Sequence, residues 1–201
     1  MRRKLFVLFF ITILSVPAFA DAGLRVGVSA DVAGSFGFDG LLGSAIGDID
    51  LKTGFTLHAA YTPLSIVNDA IKAGLGFSWW IPRGGKDSDA DDGKIGDWSL
   101  YASGFFYPLR LVGKDDGLGN LYARLNLGYN KPKGDGLDAL GDSLKGGLYW
   151  GIGAGFEFAK FLFVEVMYGK YAWSLEADTG LGKMSFDAHL KALHLTIGAK
   201  F

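Results

Sequence analysis

The stretch LHLTIGAKF, residues 193–201, alternates without a break. Leu193, Leu195, Ile197, Ala199 and Phe201 fall on one face of an extended chain, and His194, Thr196, Gly198 and Lys200 fall on the other. Successive side chains of a strand point to opposite sides, so this is a strand with one apolar face and one polar, glycine-bearing face. It finishes on an aromatic residue. Which of the two faces meets water decides the fold.

The same period of two recurs upstream. Eight strands are predicted, at about 24–33, 51–61, 71–81, 97–107, 120–130, 147–158, 161–173 and 187–201. Leu121, Ala123, Leu125, Leu127 and Tyr129 oppose Tyr122, Arg124, Asn126 and Gly128. Leu148, Trp150, Ile152, Ala154 and Phe156 oppose Tyr149, Gly151, Gly153, Gly155 and Glu157. The lengths suit tilted strands that cross a bilayer. Beyond the first twenty residues no apolar run is long enough for a membrane-spanning helix. The connections predicted after strands one, three, five and seven are long and polar (about 34–50, 82–96, 131–146 and 174–186). Those after strands two, four and six are read as shorter, the last a tight hairpin at Ala159–Lys160.

Glycine supplies 31 of the 201 residues, about twice its average share, with no collagen-like period. Cysteine is absent, which excludes a disulfide scaffold and a cysteine-ligated metal. The N-terminus carries MRRK, then the apolar LFVLFFITILSVP, then AFA. That pattern predicts a cleaved signal peptide over residues 1–20 and a barrel domain over 21–201. Loss of Arg2, Arg3 and Lys4 leaves 17 basic against 21 acidic residues, a net charge of −4. That balance argues against a nucleic-acid partner.

A soluble barrel would place the glycine-bearing face in water, where it would show Gly151, Gly153 and Gly155 in a row with few charges. A soluble surface carries more charge than that. The same face fits a narrow lumen, because eight strands leave room only for side chains, and glycine there makes room for Tyr149, Trp80, Tyr101, Phe105, Tyr107 and Phe163. The expected fold is therefore all-β: an eight-stranded antiparallel transmembrane β-barrel with long extracellular loops and short periplasmic turns. The tryptophans add to this. Trp79, Trp80, Trp98, Trp150 and Trp173 are predicted near one rim, as an outer aromatic girdle. Tyr61, Phe106, Tyr107, Phe158, Phe161 and Phe201 are predicted near the other.

With the AFA-type signal, eight alternating strands and a last strand ending in Phe201, the chain resembles the small eight-stranded outer-membrane β-barrels: the OmpA transmembrane domain, OmpX and the opacity-type proteins. The resemblance implies outer-membrane localisation and a partner surface of membrane lipid and lipopolysaccharide. It also implies that Leu195, Ile197, Ala199 and Phe201 form the signal read by the barrel-assembly machinery. The resemblance names no partner for the surface loops.

By parity, Arg25, Asp31, Lys52, His58, Lys72, Arg124, Glu157, Glu165, His194 and Lys200 point inward. Arg25, Lys72, Arg124, Glu157, Glu165 and His194 are predicted to form a lumen charge network, with Glu157 paired to Arg124. Pairing is what a buried charge requires. A filled lumen makes the protein a structural or surface-interaction barrel. A gap beside Tyr101, Phe105 and Tyr149 would make it a narrow pore for ions or small apolar solutes. Lipid A deacylases of this barrel type carry a His-x-Ser pair facing lipid. The nearest match, His194-Leu195-Thr196, is turned inward, and no catalytic residue is assigned. KDSDADDGK (86–94) begins like a calcium loop, but Asp92 takes the glycine position and Trp98 the position of the bidentate glutamate. Neither a metal nor a cofactor is expected.

Overall fold

The computed structural model describes residues 23–39, 47–84, 94–111, 119–133, 144–158, 161–178 and 183–201. The predicted signal peptide, the acidic residues 86–93 and the Ala159–Lys160 hairpin lie outside them.

The elements run β1 (Leu24–Phe38), β2 (Ile49–Asp50), β3 (Gly54–Ile66), β4 (Ile71–Arg83), β5 (Ile95–Phe106), α1 (Pro108–Leu111), β6 (Gly119–Lys133), β7 (Leu144–Phe158), β8 (Leu162–Asp178) and β9 (Lys183–Lys200). Each long strand pairs antiparallel with its neighbour in sequence, and β1 pairs with β9, so the sheet closes. Closure removes the unpaired edges that a membrane does not tolerate. It is completed at the chain end, where Leu24 and Phe201 exchange backbone hydrogen bonds of 3.0 and 2.8 Å.

The fold is the expected eight-stranded barrel, with the two-residue β2 added against Ser35 and Phe36 of β1. The connections differ from expectation. Strands β8 and β9, of 17 and 18 residues, stay paired as far as Asp178 and Lys183, so the predicted fourth long loop is mostly hairpin. The connection after β5, predicted short, contains α1. Beyond the bilayer a strand needs no apolar outer face, so alternation fades while backbone pairing continues. The β3–β4 turn is tight. It places Val67, Asn68 and Asp69 at φ of 53°, 52° and 62°. Asn and Asp tolerate that left-handed region, whereas a β-branched valine is strained there.

The outward face carries Leu75, Leu100, Leu125, Leu127, Ile152, Val166 and Ile197, all exposed. Such a band is what a lipid-facing wall presents. The inward face is closely fitted. A Cβ on Gly76 would lie 2.2 Å from the Tyr101 ring, and one on Gly155 would lie 2.4 Å from Tyr122. Glycine on one strand thus receives the ring of the next.

Bulges break the parity. The β1–β9 register shifts between Asp31 and Ala33, the β4–β5 register between Trp80 and Arg83, and the β7–β8 register between Gly146 and Tyr149. An extra residue turns the chain beyond it to the other face. Phe36, Phe38 and Arg83 thereby enter the lumen.

Candidate functional site

The interior is built in layers from the end carrying the chain termini. In the first, β1 supplies Arg25 and β7 supplies Glu157, which form a buried ion pair. Tyr107 donates to Glu157 at 2.6 Å, and the Lys200 ammonium lies 2.7 Å from it. The Arg25 guanidinium sits 4.2 Å from the Phe163 ring centroid and donates to the Tyr122 hydroxyl at 2.6 Å. Tyr122 in turn donates to Glu165 at 3.0 Å, which ties this layer to the next.

In the second layer Arg124 donates to Glu165 at 2.8 Å, to Asn126 at 3.0 Å, and to Ser103 and Tyr101 at 3.2 Å each. Asn126 reaches on to Tyr149 at 3.1 Å. The third layer centres on Asp31, which accepts from His194, Arg83 and Thr56. The other ring nitrogen of His194 lies 3.1 Å from the Tyr171 hydroxyl, and the Arg83 guanidinium stacks 4.0 Å over Trp80. Tyr171 stacks on Tyr149 at 4.7 Å. Towards the far end, Asp97 accepts from Ser99 at 2.9 Å, Asn130 at 2.8 Å and Trp173 at 3.0 Å. Leu51, Ala188, Leu190 and Ala192 close that end, with Phe36, Phe38 and Ile95 packed against them.

The structure brings five of the six predicted network residues into these layers: Arg25, Arg124, Glu157, Glu165 and His194. Lys72 is not among them. It stands at the rim, 4.0 Å from Asp69. There the Ser65 hydroxyl, with Lys72, holds the Asp69 carboxyl below its usual range. The expected Glu157–Arg124 pair does not form. Glu157 belongs to Arg25 and Arg124 to Glu165, because the barrel's curvature brings β1 across to β7. Lys52 is exposed ahead of β3 rather than inward.

The tryptophan girdle is also corrected. Trp79 is 46% exposed on the lipid side, and Trp98 and Trp150 are half-buried on that side. Trp80 and Trp173 are 1% and 3% exposed and fill the lumen. Trp79 and Trp80 are adjacent in a strand and cannot share a face. Tyr107, placed near the second rim by height and in the lumen by parity, is buried inside, as Trp80 is. At the last strand, Leu195 and Ile197 are exposed outward, Ala199 is buried, and Phe201 is half-buried.

Sequence reasoning missed Arg83 and Asp97. Arg83 lay past the predicted strand end, yet Pro82 before it was a readable sign of a bulge. Asp97 shares the parity of Tyr101 and Phe105 and was legible. Among the described residues no group of three or more acidic, histidine or cysteine side chains could hold a metal ion.

Residues 6–201 match the model of the outer membrane protein beta-barrel domain. The chain belongs to that family. It is an outer-membrane protein, as that family is. Ail, the attachment invasion locus protein of Yersinia pestis, is 17% identical with a TM-score of 0.50, over 89% of this chain and 99% of Ail. Neisserial surface protein A is 14% identical with a TM-score of 0.51, over 89% of this chain and 97% of that protein. At such identities the likeness is one of fold. No curated protein matches the sequence.

Proposed function

We propose that this outer-membrane barrel is a structural, surface-interaction protein whose lumen is filled by side chains and does not conduct. The observation that carries the reading is the pairing of buried charge. Arg25 with Glu157, Arg124 with Glu165, and Asp31 with Arg83 and His194 cross the interior at successive levels. Each pair costs desolvation and holds together only with its partners in place, so a passing solute would have to break them. The outward apolar band takes membrane lipid and lipopolysaccharide. The last strand, with Leu195, Ile197, Ala199 and Phe201, serves the barrel-assembly machinery. We assign no reaction, since both ring nitrogens of His194 are engaged by Asp31 and Tyr171. Swelling of proteoliposomes in a small sugar tests the closed lumen. The expected rate is that of protein-free liposomes, and faster swelling contradicts the reading.

A narrow path is the second reading, and one observation favours it. The two ring nitrogens of His58, the Ser78 hydroxyl and the Trp80 indole nitrogen are buried without hydrogen-bond partners among the described residues. They lie along the β3–β4 wall, where His58 is registered against Ser78. Buried polar atoms of this kind are often satisfied by water. Proteoliposomes that pass protons but exclude sugar would support this path.

A further inference from the structure

One histidine stands outside the layers of the lumen. His189 lies between Ala188 and Leu190, which both face inward, so alternation turns it to the outer face of β9. Leu193 and Leu195 on that face are exposed, yet His189 is only 5% exposed. Its neighbours across the sheet are small: Gly37 of β1 and Ala172 of β8 are registered against it. The two stems of the first connection lie against the ring. Nδ1 is 3.1 Å from an Asp39 carboxylate oxygen, and Nε2 is 4.0 Å from one of Asp48. Asp39 follows β1 and Asp48 precedes β2, so one imidazole faces both ends of that connection. A Cβ on Gly37 would collide with the Asp48 carboxylate and lie 3.3 Å from Nε2, so glycine there leaves room for the contact.

We propose that His189 is a pH-sensitive clamp: as imidazolium it ties both stems of the first connection to β9, and as neutral imidazole it releases the Asp48 stem. Neither ring nitrogen makes a formed hydrogen bond among the described residues, and both are shielded from solvent. Charge is therefore what holds the two carboxylates, and only the imidazolium attracts both. A neutral imidazole keeps a lone pair on one nitrogen, which then faces a carboxylate. Histidine changes its charge between about pH 5 and pH 8, so the clamp is closed at the acid end and lost as pH rises. The stems differ in what else holds them. Asp39 donates its backbone N–H to the Asp187 carbonyl at 2.8 Å at any pH. Asp48 has the Lys191 ammonium at 3.6 Å and the Ser35 hydroxyl at 3.5 Å, and it precedes a strand of two residues. The other charged groups on this face are Asp50 of β2, Asp187 of β9, and Lys170 and Glu176 of β8. Asp50 is registered against Ser35, Lys170 against Lys191, and Glu176 is matched by Lys145 at 2.6 Å. Asp48 leads through β2 to Leu51 of the apolar cap, so the clamp bears on the far end of the lumen.

The clamp is independent of the closed lumen, so a conducting barrel would leave it intact. The chain has no cysteine, so Ser44→Cys gives a single attachment point for a nitroxide label within the first connection. The labelled protein, refolded in phosphatidylcholine vesicles, is read by electron paramagnetic resonance at about pH 5 and about pH 8. Heat-modifiable gel migration checks closure of every variant. The ratio of immobile to mobile label is expected to fall about fivefold from the lower pH to the higher, the effect of two half-exposed ion pairs lost together. His189→Gln should give the mobile spectrum at both pH values, because a neutral side chain holds neither carboxylate. His189→Lys should give the immobile spectrum at both, because its ammonium stays charged. A parent spectrum that does not change with pH would overturn the proposal. So would a His189→Gln or His189→Lys variant that shifts as the parent does, which would assign the change to groups other than the imidazole.

Discussion

The two halves of the lumen are stabilised differently. The half near the chain termini is ionic: Arg25 meets Glu157, Arg124 meets Glu165, and Tyr122 joins the two pairs. The far half ends in an apolar cap of Leu51, Leu190, Phe36 and Phe38, above an Asp97 that is held by neutral donors alone among the described residues. In the first half Arg25, Arg124, Glu157 and Glu165 are placed by alternation, and the bulge at that end, between Tyr61 and Leu64 of β3, carries none of them. In the second, bulges at Asp31/Ala33, Trp80/Arg83 and Gly146/Tyr149 re-aim the chain. Alternation delivers those charges in register, whereas a bulge can turn inward residues from a stretch that reads as loop.

Substitutions should separate the halves. The largest effect is expected from Arg124→Met, which leaves Glu165 buried without its cation. A loss of about 3–5 kcal/mol in urea unfolding, followed by tryptophan fluorescence, is expected. Adding Glu165→Met should recover much of it, because an apolar pair of similar volume replaces the ionic one. In the far half, Phe36→Ala is expected to cost about 2–3 kcal/mol, since Phe36 packs 5.5 Å from Trp173 and is only partly buried. Asp97→Asn sharpens the contrast. No cation is stranded among the described residues, so a cost near 1 kcal/mol is expected, against several for Glu157→Gln, which strands Arg25. Equal costs for these two would erase the distinction between the halves.

Smaller effects lie at the β3–β4 turn. Val67→Gly relieves a β-branched residue at φ 53° and is expected to stabilise by about 1 kcal/mol. Asp69→Asn removes an exposed charge facing Ser65 and Lys72 and should cost no more than about 0.5 kcal/mol. Because the Asp69 carboxyl is held below its usual range, its small contribution is present above the unfolded-state value. It is lost as pH falls through the lowered one.

The barrel itself was legible because a lipid-facing wall forces period-two alternation over every crossing. Inward placement of Arg25, Arg124, Glu157, Glu165 and His194 followed from the same parity. Partner choice did not. Parity places Glu157 on the same side as Arg124, but only the curvature of the closed sheet shows that Arg25, 132 residues away in sequence, reaches it first. Trp80 and Trp173 show the limit of reading a girdle by height alone, since their parity already pointed inward. Arg83 and Phe36 were hidden by bulges, whose position depends on how neighbouring strands meet. The long β8–β9 hairpin was hidden because its far end no longer needs an apolar face.

Single-channel recording of the refolded protein in a planar bilayer tests the central claim most directly, with heat-modifiable migration as the control that the barrel has closed. The layered pairs predict a silent bilayer for the parent protein and steps for Arg124→Met, which opens the second layer. Discrete, reproducible steps from the parent protein would contradict the filled lumen and make the β3–β4 wall, with His58 and Ser78, the place to look for the path.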